Sequence, residues 1–320
     1  MGLEADAADA RARRDRRADA AFRALLWLAG LLVLFTLGGT AASLAWGGRE
    51  AFATFGPGFL VGVDWDPAGR IFGALVPVYG TLVTSLLAML LAVPVSFGIA
   101  LFLTEIAPGW LRTPVAAAIE LLAAIPSIIY GMWGLFVFVP FMAEHVEPWL
   151  IDHLGPLPIF GVLFRGAPLG IGMLTGGVIL GIMVIPFVSS VMHEVFSVVP
   201  AMLKESAYAL GCTTWEVVRD IVLPYTRSAV SGGIFLGMGR ALGETMAVTF
   251  VLGNTHNLSL SLVDPGNSIA AAIANEFAEA DSGLYLSSLI ALGLVLFAVT
   301  FLVLAAAKLL LLRLERTAGR

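Results

Sequence analysis

Arg240 and Glu244 stand in Gly239-Arg240-Ala241-Leu242-Gly243-Glu244-Thr245-Met246-Ala247, inside an apolar run over about 228–252. Opposite charges at i and i+4 share one face of a continuous helix and can neutralise each other. A lone charge at mid-membrane costs about 2.5–3.5 kcal/mol on insertion scales, so the pair demands a reason. Two are open. As a chemical site, Arg240 offers a permanently protonated, planar donor fork to an oxyanion, and Glu244 holds it while the path is empty. As a structural element, the two form a standing intrahelical salt bridge. A second polar set lies in Ala-Ala-Ile-Pro-Ser-Ile-Ile-Tyr-Gly at 123–131, where Pro126 frees a helix carbonyl and Ser127 and Tyr130 bring hydroxyls into another apolar run. These either line a path or mark a packing kink satisfied by a neighbouring helix.

Other chemistries are excluded. Cys212 is the only cysteine, so no intrachain disulfide or cysteine metal cluster forms. His145, His153, His193 and His256 lack metal-ligand spacing and read as interfacial or surface residues. No catalytic constellation is present. Lys204 and Lys308 are followed by Glu205 and Leu309, so the chain has no G-x-x-x-x-G-K-[ST] phosphate loop. ATP and its Mg, if they drive this protein, belong on another chain; no cofactor is expected here, and no nucleic acid.

The elements that carry these residues are membrane helices. Hydrophobic residues make up 59% of 320 and charged residues 13%, against roughly one quarter charged in soluble domains. Six apolar runs, about 22–46, 76–103, 115–140, 168–192, 228–252 and 284–312, each approach or exceed the roughly 20 residues needed to cross the hydrocarbon core. They are continuously apolar rather than alternating, which argues for an all-α bundle of six spans and against a β-barrel. The first run is longer than the apolar core of a secretory signal and reads as an uncleaved span.

Lys and Arg set the orientation. Arg11, Arg13, Arg14, Arg16, Arg17 and Arg23 precede the first run, and Lys308, Arg313, Arg316 and Arg320 end or follow the last. Both termini are expected in the cytoplasm, as are the loops at 104–114 and 193–227; the outer loops hold only Arg49, Arg70 and Arg165. The expected layout is a disordered basic tail at 1–19, a six-span domain at 20–315 with a polar loop at 200–226, and a short tail at 316–320. The third outer loop, 254–283, carries Asp264, Glu276, Glu279 and Asp281 without a basic residue, a surface that an anion would not choose unaided. Arg165 and Asn275 are candidate entry contacts. Glu120, without an evident local partner, is read at the cytoplasmic interface. Gly233, Gly237, Gly239 and Gly243 give small-xxx-small spacings in the fifth run, suited to close helix packing.

The polar loop has its own spacing: Glu205-Ser206-Ala207, then Gly211, then Ile221, Leu223 and Pro224. Glu205–Leu210 and Trp215–Leu223 are good helix formers, while Gly211-Cys212-Thr213-Thr214 supplies a bend and a cap. Two short helices should meet at Gly211, with Pro224 stopping the second. Such an element either fits a cleft in a partner or merely connects two spans.

With this loop the chain resembles the membrane subunits of binding-protein-dependent ABC importers. More narrowly, it resembles the PstC-type permeases of phosphate importers, through residues 121–134, 239–248 and 273–280. The resemblance covers residues 20–315. It implies a type I importer bundle with cytoplasmic coupling helices in a bacterial inner membrane. The implied partners are a PstA-like second permease, a PstB-like ATPase dimer, a PstS-like extracytoplasmic phosphate-binding protein, inorganic phosphate and membrane lipid. It also implies that Glu205 engages the ATPase and that Arg240 and Glu244 serve phosphate passage. A sulfate or molybdate permease and an ion-coupled secondary transporter stand as alternatives.

Overall fold

The computed structural model describes residues 2–158 and 160–318. Two units are present, 1–47 and 48–320. The first is one helix, α1 (Gly2–Gly47), whose part Ala18–Gly47 is long and apolar enough to cross a membrane. Residues 2–19, expected as an irregular tail, are the first turns of that helix; their Ala and Arg content favours it. Of the two expected tails, Met1 and 319–320 lie outside the described residues.

The second unit opens with α2 (Arg49–Phe55), α3 (Gly58–Val61) and a short antiparallel hairpin, β1 (Trp65–Asp66) with β2 (Ile71–Phe72), in which Trp65 opposes Phe72. It continues through α4 (Leu75–Leu101), α5 (Gly109–Ala123), α6 (Ser127–Trp133), α7 (Val139–Phe141), α8 (Glu147–Leu154) and α9 (Met173–Ser197). The remainder is α10 (Ala201–Ala209), α11 (Thr214–Val217), α12 (Leu223–Leu242), α13 (Met246–Thr249), α14 (Ile269–Glu276) and α15 (Gly283–Ala318).

Prolines explain much of the helix geometry. Four turns are widened so that an amide bonds back five residues: Phe102–Ile106, Gly134–Phe138, Met142–Val146 and Val218–Val222. Each ends two residues before a proline, at Pro108, Pro140, Pro148 and Pro224. A proline has no N–H and its ring meets the carbonyl one turn back; the wide turn shifts that carbonyl aside, and three of the four helices run on. Hence α6, α7 and α8 form one rod from Ser127 to Leu154, and α11 continues into α12. Pro224 therefore does not stop the second loop helix, contrary to the expectation from its backbone chemistry alone.

Two expected spans shift. The third begins at Ser127, not near 115, because the chain breaks at 124–126, with Pro126 extended at φ −58° and ψ 137°; α5 is a separate helix and much of the second expected outer loop is helical. Glu120 is exposed near the end of α5. The fifth run is not one helix either: α12 ends at Leu242, and Gly243–Thr245 separate it from α13. Among the described residues, five helices are long and apolar enough to span: Ala18–Gly47, Leu75–Ile106, Ser127–Leu154, Met173–Ser197 and Gly283–Arg313.

α9 is the centre of the second unit, with 61% of its apolar window buried against at most 33% in the other candidate spans. Its Gly177 and Gly181, one turn apart, lie against Leu87 and Leu91 of α4, so the two backbones approach closely. Pro94 and Pro186 stay inside α4 and α9 without breaking them. One apolar cluster runs from Ala100, Phe196, Val199, Ala207, Val217 and Val222, at the C-terminal end of α4 beside α10 and α11, along α4 and α9 to Ala247 and Val248 of α13. A second, with Phe59, Trp65, Phe72, Ile269 and Tyr285, sits at its N-terminal end.

Candidate functional site

The loop 200–226 folds as its spacing predicts over its first half. α10 ends at Ala209, and Gly211 takes φ +90° with no atom near enough to crowd a side chain, so glycine is needed there for backbone conformation and not for space. Thr213 caps α11 reciprocally: its Oγ1 accepts from Glu216 N, and Glu216 Oε2 accepts from Thr213 N at 2.7 Å. These bonds hold the exposed Glu216 carboxyl below the usual carboxylate range. Ala207 is buried and Ile221 and Leu223 are partly buried against the same cluster, whereas Glu205, Gly211 and Pro224 are exposed. The six residues thus divide into anchors and a presented face. Met202, Leu210 and Trp215 add apolar surface to that face, at 76%, 86% and 63% exposure.

One side chain locks this loop to the bundle and a second braces the place where it docks, and the spacing did not reveal them. Lys204 Nζ donates to Glu105 Oε1 at 2.5 Å, with Glu105 only 5% exposed. Arg112 Nη2 donates to Thr104 O at 3.1 Å and Ala107 O at 3.4 Å, covering carbonyls left free where α4 ends. Nothing in the sequence pairs residues 99 positions apart.

The second site lies where α6, α9, α12 and α13 meet. Gly131 of α6 is buried, and a Cβ there would sit 3.0 Å from Ala247 Cα and from Met246 O, so α6 rests directly on α13. Tyr130 donates its hydroxyl to Leu122 O at 3.0 Å across the break at Pro126, satisfying a carbonyl at the end of α5. Ser127 begins α6 one turn earlier and is partly buried. Arg240, in the last turn of α12, lies with Cζ 5.4 Å from the centroid of the Phe187 ring. Its Nε is buried without a hydrogen-bond partner among the described residues.

Arg240 and Glu244 do not form the expected i, i+4 pair on one helix face. The helix ends between them at Leu242, and Glu244 Oε1 accepts instead from Ala247 N at 3.2 Å at the start of α13. Gly243 lies in that turn at φ −94° and is exposed. The other glycines serve packing within the chain: Gly233 faces Val191 and Gly237 faces Val188 of α9, while Gly239 lies near Leu304 of α15.

The third expected outer loop is not a uniformly acidic surface. Glu276 is enclosed, accepting from Trp65 Nε1 at 2.6 Å, Tyr285 Oη at 2.7 Å and His256 Nε2 at 2.7 Å. Burial pushes its carboxyl up, but the hydrogen bonds and the His256 ring outweigh that and leave it below the usual range. His256 stacks on Trp65 at 5.3 Å and is no surface histidine. Asp264 accepts from Ser259 Oγ, leaving Glu279 and Asp281 as the exposed acids. Arg165 and Asn275 are exposed.

Residues 96–316 match the family described as "Binding-protein-dependent transport system inner membrane component". The chain belongs to that family. Relatives of the inner membrane component include the "Phosphate transport system permease protein PstC" of Xylella fastidiosa (strain 9a5c), 62% identical over 306 residues, 96% of this chain and 94% of the relative. The protein of the same name from Pasteurella multocida (strain Pm70) is 57% identical over 299 residues, 93% of each chain. Among solved structures, this component is similar to a chain of a bacterial ABC transporter for the acidic polysaccharide alginate, with TM-score 0.60, 17% identity and coverage of 95% and 99%. It is also similar to a chain of the MetNI methionine ABC transporter, with TM-score 0.56, 16% identity and coverage of 74% and 94%. These two likenesses bear on the fold: a helical importer-permease architecture.

Proposed function

We propose that this inner membrane component is the permease subunit of an ATP-driven phosphate importer. The observation that carries the reading is 62% identity, across nearly the whole of both chains, to a phosphate transport permease. The partners are a PstA-like second permease, a PstB-like ATPase dimer that holds ATP and Mg, and a PstS-like phosphate-binding protein. α12 together with the broken segment 243–249 completes a sixth crossing, and both termini face the cytoplasm with α10 and α11.

The chemistry follows from the two sites. The exposed face of α10, with Glu205 and the bend at Gly211, enters the ATPase; ATP-driven closure moves it, and the movement opens the bundle to the opposite side. Phosphate then passes Arg240, whose planar donor fork meets an oxyanion in a low-dielectric setting where each hydrogen bond counts for more than in water. A site that bound tightly in both states would hold its cargo, so weak, transient binding serves transport better. Tyr130 and Ser127 flank that passage.

The test is labelled phosphate uptake in cells lacking their own importers and supplied with this chain and its partner subunits, with sulfate and molybdate as competitors. Uptake that needs ATP, resists both competitors and is lost in Glu205→Ala and Arg240→Gln with the complex assembled is the expected result. Uptake that follows the proton gradient and survives ATP depletion refutes the reading, and inhibition by sulfate or molybdate transfers it to that oxyanion.

A further inference from the structure

We infer that the Lys204–Glu105 ion pair is the coupling link of this permease, a positioning pair that turns displacement of the docking helix α10 into movement of α4. The inference rests on the proposed function and adds a residue pair to it. The two faces of α10 carry different residues. Glu205, Ser206 and Tyr208 are exposed, while Lys204 and Ala207, three apart and so on one helix face, turn toward the bundle. Ala207 makes the apolar part of that contact and Lys204 the polar part. An apolar contact can slide; a charge-assisted hydrogen bond of 2.5 Å to a carboxylate that is 5% exposed cannot move without uncovering a buried charge.

The receiving end is equally constrained. Glu105 lies in the wide turn that extends α4 to Ile106, and Arg112 of α5 clamps the carbonyls of Thr104 and Ala107 on either side of it. Pulling on Glu105 therefore pulls on the end of α4 as a body. α4 packs along α9 through Gly177 and Gly181, and α9 carries Phe187, over which Arg240 lies. A continuous set of packed elements thus runs from the docking face to the buried arginine, entered through the apolar contact of Ala207, the short link from α9 and, as its one charged contact, this ion pair. Spatial continuity is not coupling by itself, so the proposal turns on stoichiometry.

The experiment uses the full transporter with all partner subunits in proteoliposomes, scoring ATP hydrolysed and phosphate transported in the same vesicles. The variants are Lys204→Gln, Glu105→Gln, Lys204→Arg and the exchange Lys204→Glu with Glu105→Lys, each checked for retention of the ATPase on purification. Expected are single neutral variants that keep the ATPase and hydrolyse ATP at rates near wild type, but transport on the order of tenfold less phosphate per ATP, a factor within the span by which coupling between two sites changes binding affinity. Lys204→Arg and the exchange restore the ratio. Wild-type stoichiometry in the singles overturns the proposal. So does loss of the ATPase in the singles, which would make the pair a support for the docking surface alone, or failure of the exchange to recover the ratio in an assembled complex. If instead wild type shows no ATP-dependent phosphate transport, the function fails and not the pair.

Discussion

Glu276→Ala removes the acceptor shared by three elements: Trp65 in the hairpin, His256 in the loop before α14, and Tyr285 in α15. The carboxylate is 15% exposed and its bonds are 2.6–2.7 Å long, so the donors it leaves behind are poorly placed to reach water. Each hydrogen bond to a charged partner is worth about 1.5–3 kcal/mol, but the three share one group and do not add; loss of one member of a buried pair costs about 3–5 kcal/mol. At about 2 °C per kcal/mol for a chain of this size, the detergent-purified protein should melt about 6–10 °C lower. Glu276→Gln should fall between. Its single carbonyl oxygen can serve Trp65 and Tyr285, while its NH2 then faces His256, which can accept only by changing tautomer. The sign of the pH dependence follows from a folded carboxyl held below its unfolded value. The stabilisation is complete above about pH 4.3 and fades as pH falls through the lower folded value, so the gap between wild type and Glu276→Gln narrows there. A Glu276→Ala protein melting within about 2 °C of wild type would show that the network contributes little, against the burial argument.

Further outcomes follow from the backbone and packing. Gly80→Ala places a methyl on the carbonyl oxygen of Asn267, which is backbone and cannot swing away; the variant should fail to accumulate in membranes, whereas Gly98→Ala, with open space around it, should accumulate normally. Gly211→Val puts a β-branched residue at φ +90°, costing about 1–2 kcal/mol or more, and should lower ATPase retention on co-purification while Gly232→Ala leaves it unchanged. Phe187→Ala removes the ring beneath Arg240 and about 0.5–2 kcal/mol of cation–π attraction; melting of the purified chain should fall by a few degrees, and an unchanged value would place the guanidinium elsewhere.

The sequence disclosed the helical membrane class and the bend at Gly211 because each rests on local physics: apolar length and a conformation glycine adopts freely. It misplaced the third span and the end of the fifth because the apolar content around 115–126 and 243–252 does not register where the helix stops. Those stops are set by Pro126 and by the turn at Gly243, and by what packs there, including Gly131 on α13. Pro224 was misread for the converse reason: a proline two residues past a wide turn is tolerated in a running helix, and that spacing recurs at Pro140 and Pro148. Arg240 and Glu244 were found by charge in an apolar run, yet their pairing presumed unbroken helix. Lys204 with Glu105, and Glu276 with Trp65, His256 and Tyr285, depend on tertiary contacts between distant segments, for which one sequence carries no register.

The end of α12 at Leu242 also changes what balances the arginine beside it. A glutamate countercharge could swing aside and leave a full positive well; the carbonyl end of a helix cannot, and amounts to roughly half a negative charge fixed in the backbone. Arg240 sits in that last turn. Its field is thus permanently diluted, with a depth set by architecture and insensitive to rotamer; in the phosphate passage proposed above, an arriving anion would meet a shallow potential that does not deepen once it has entered.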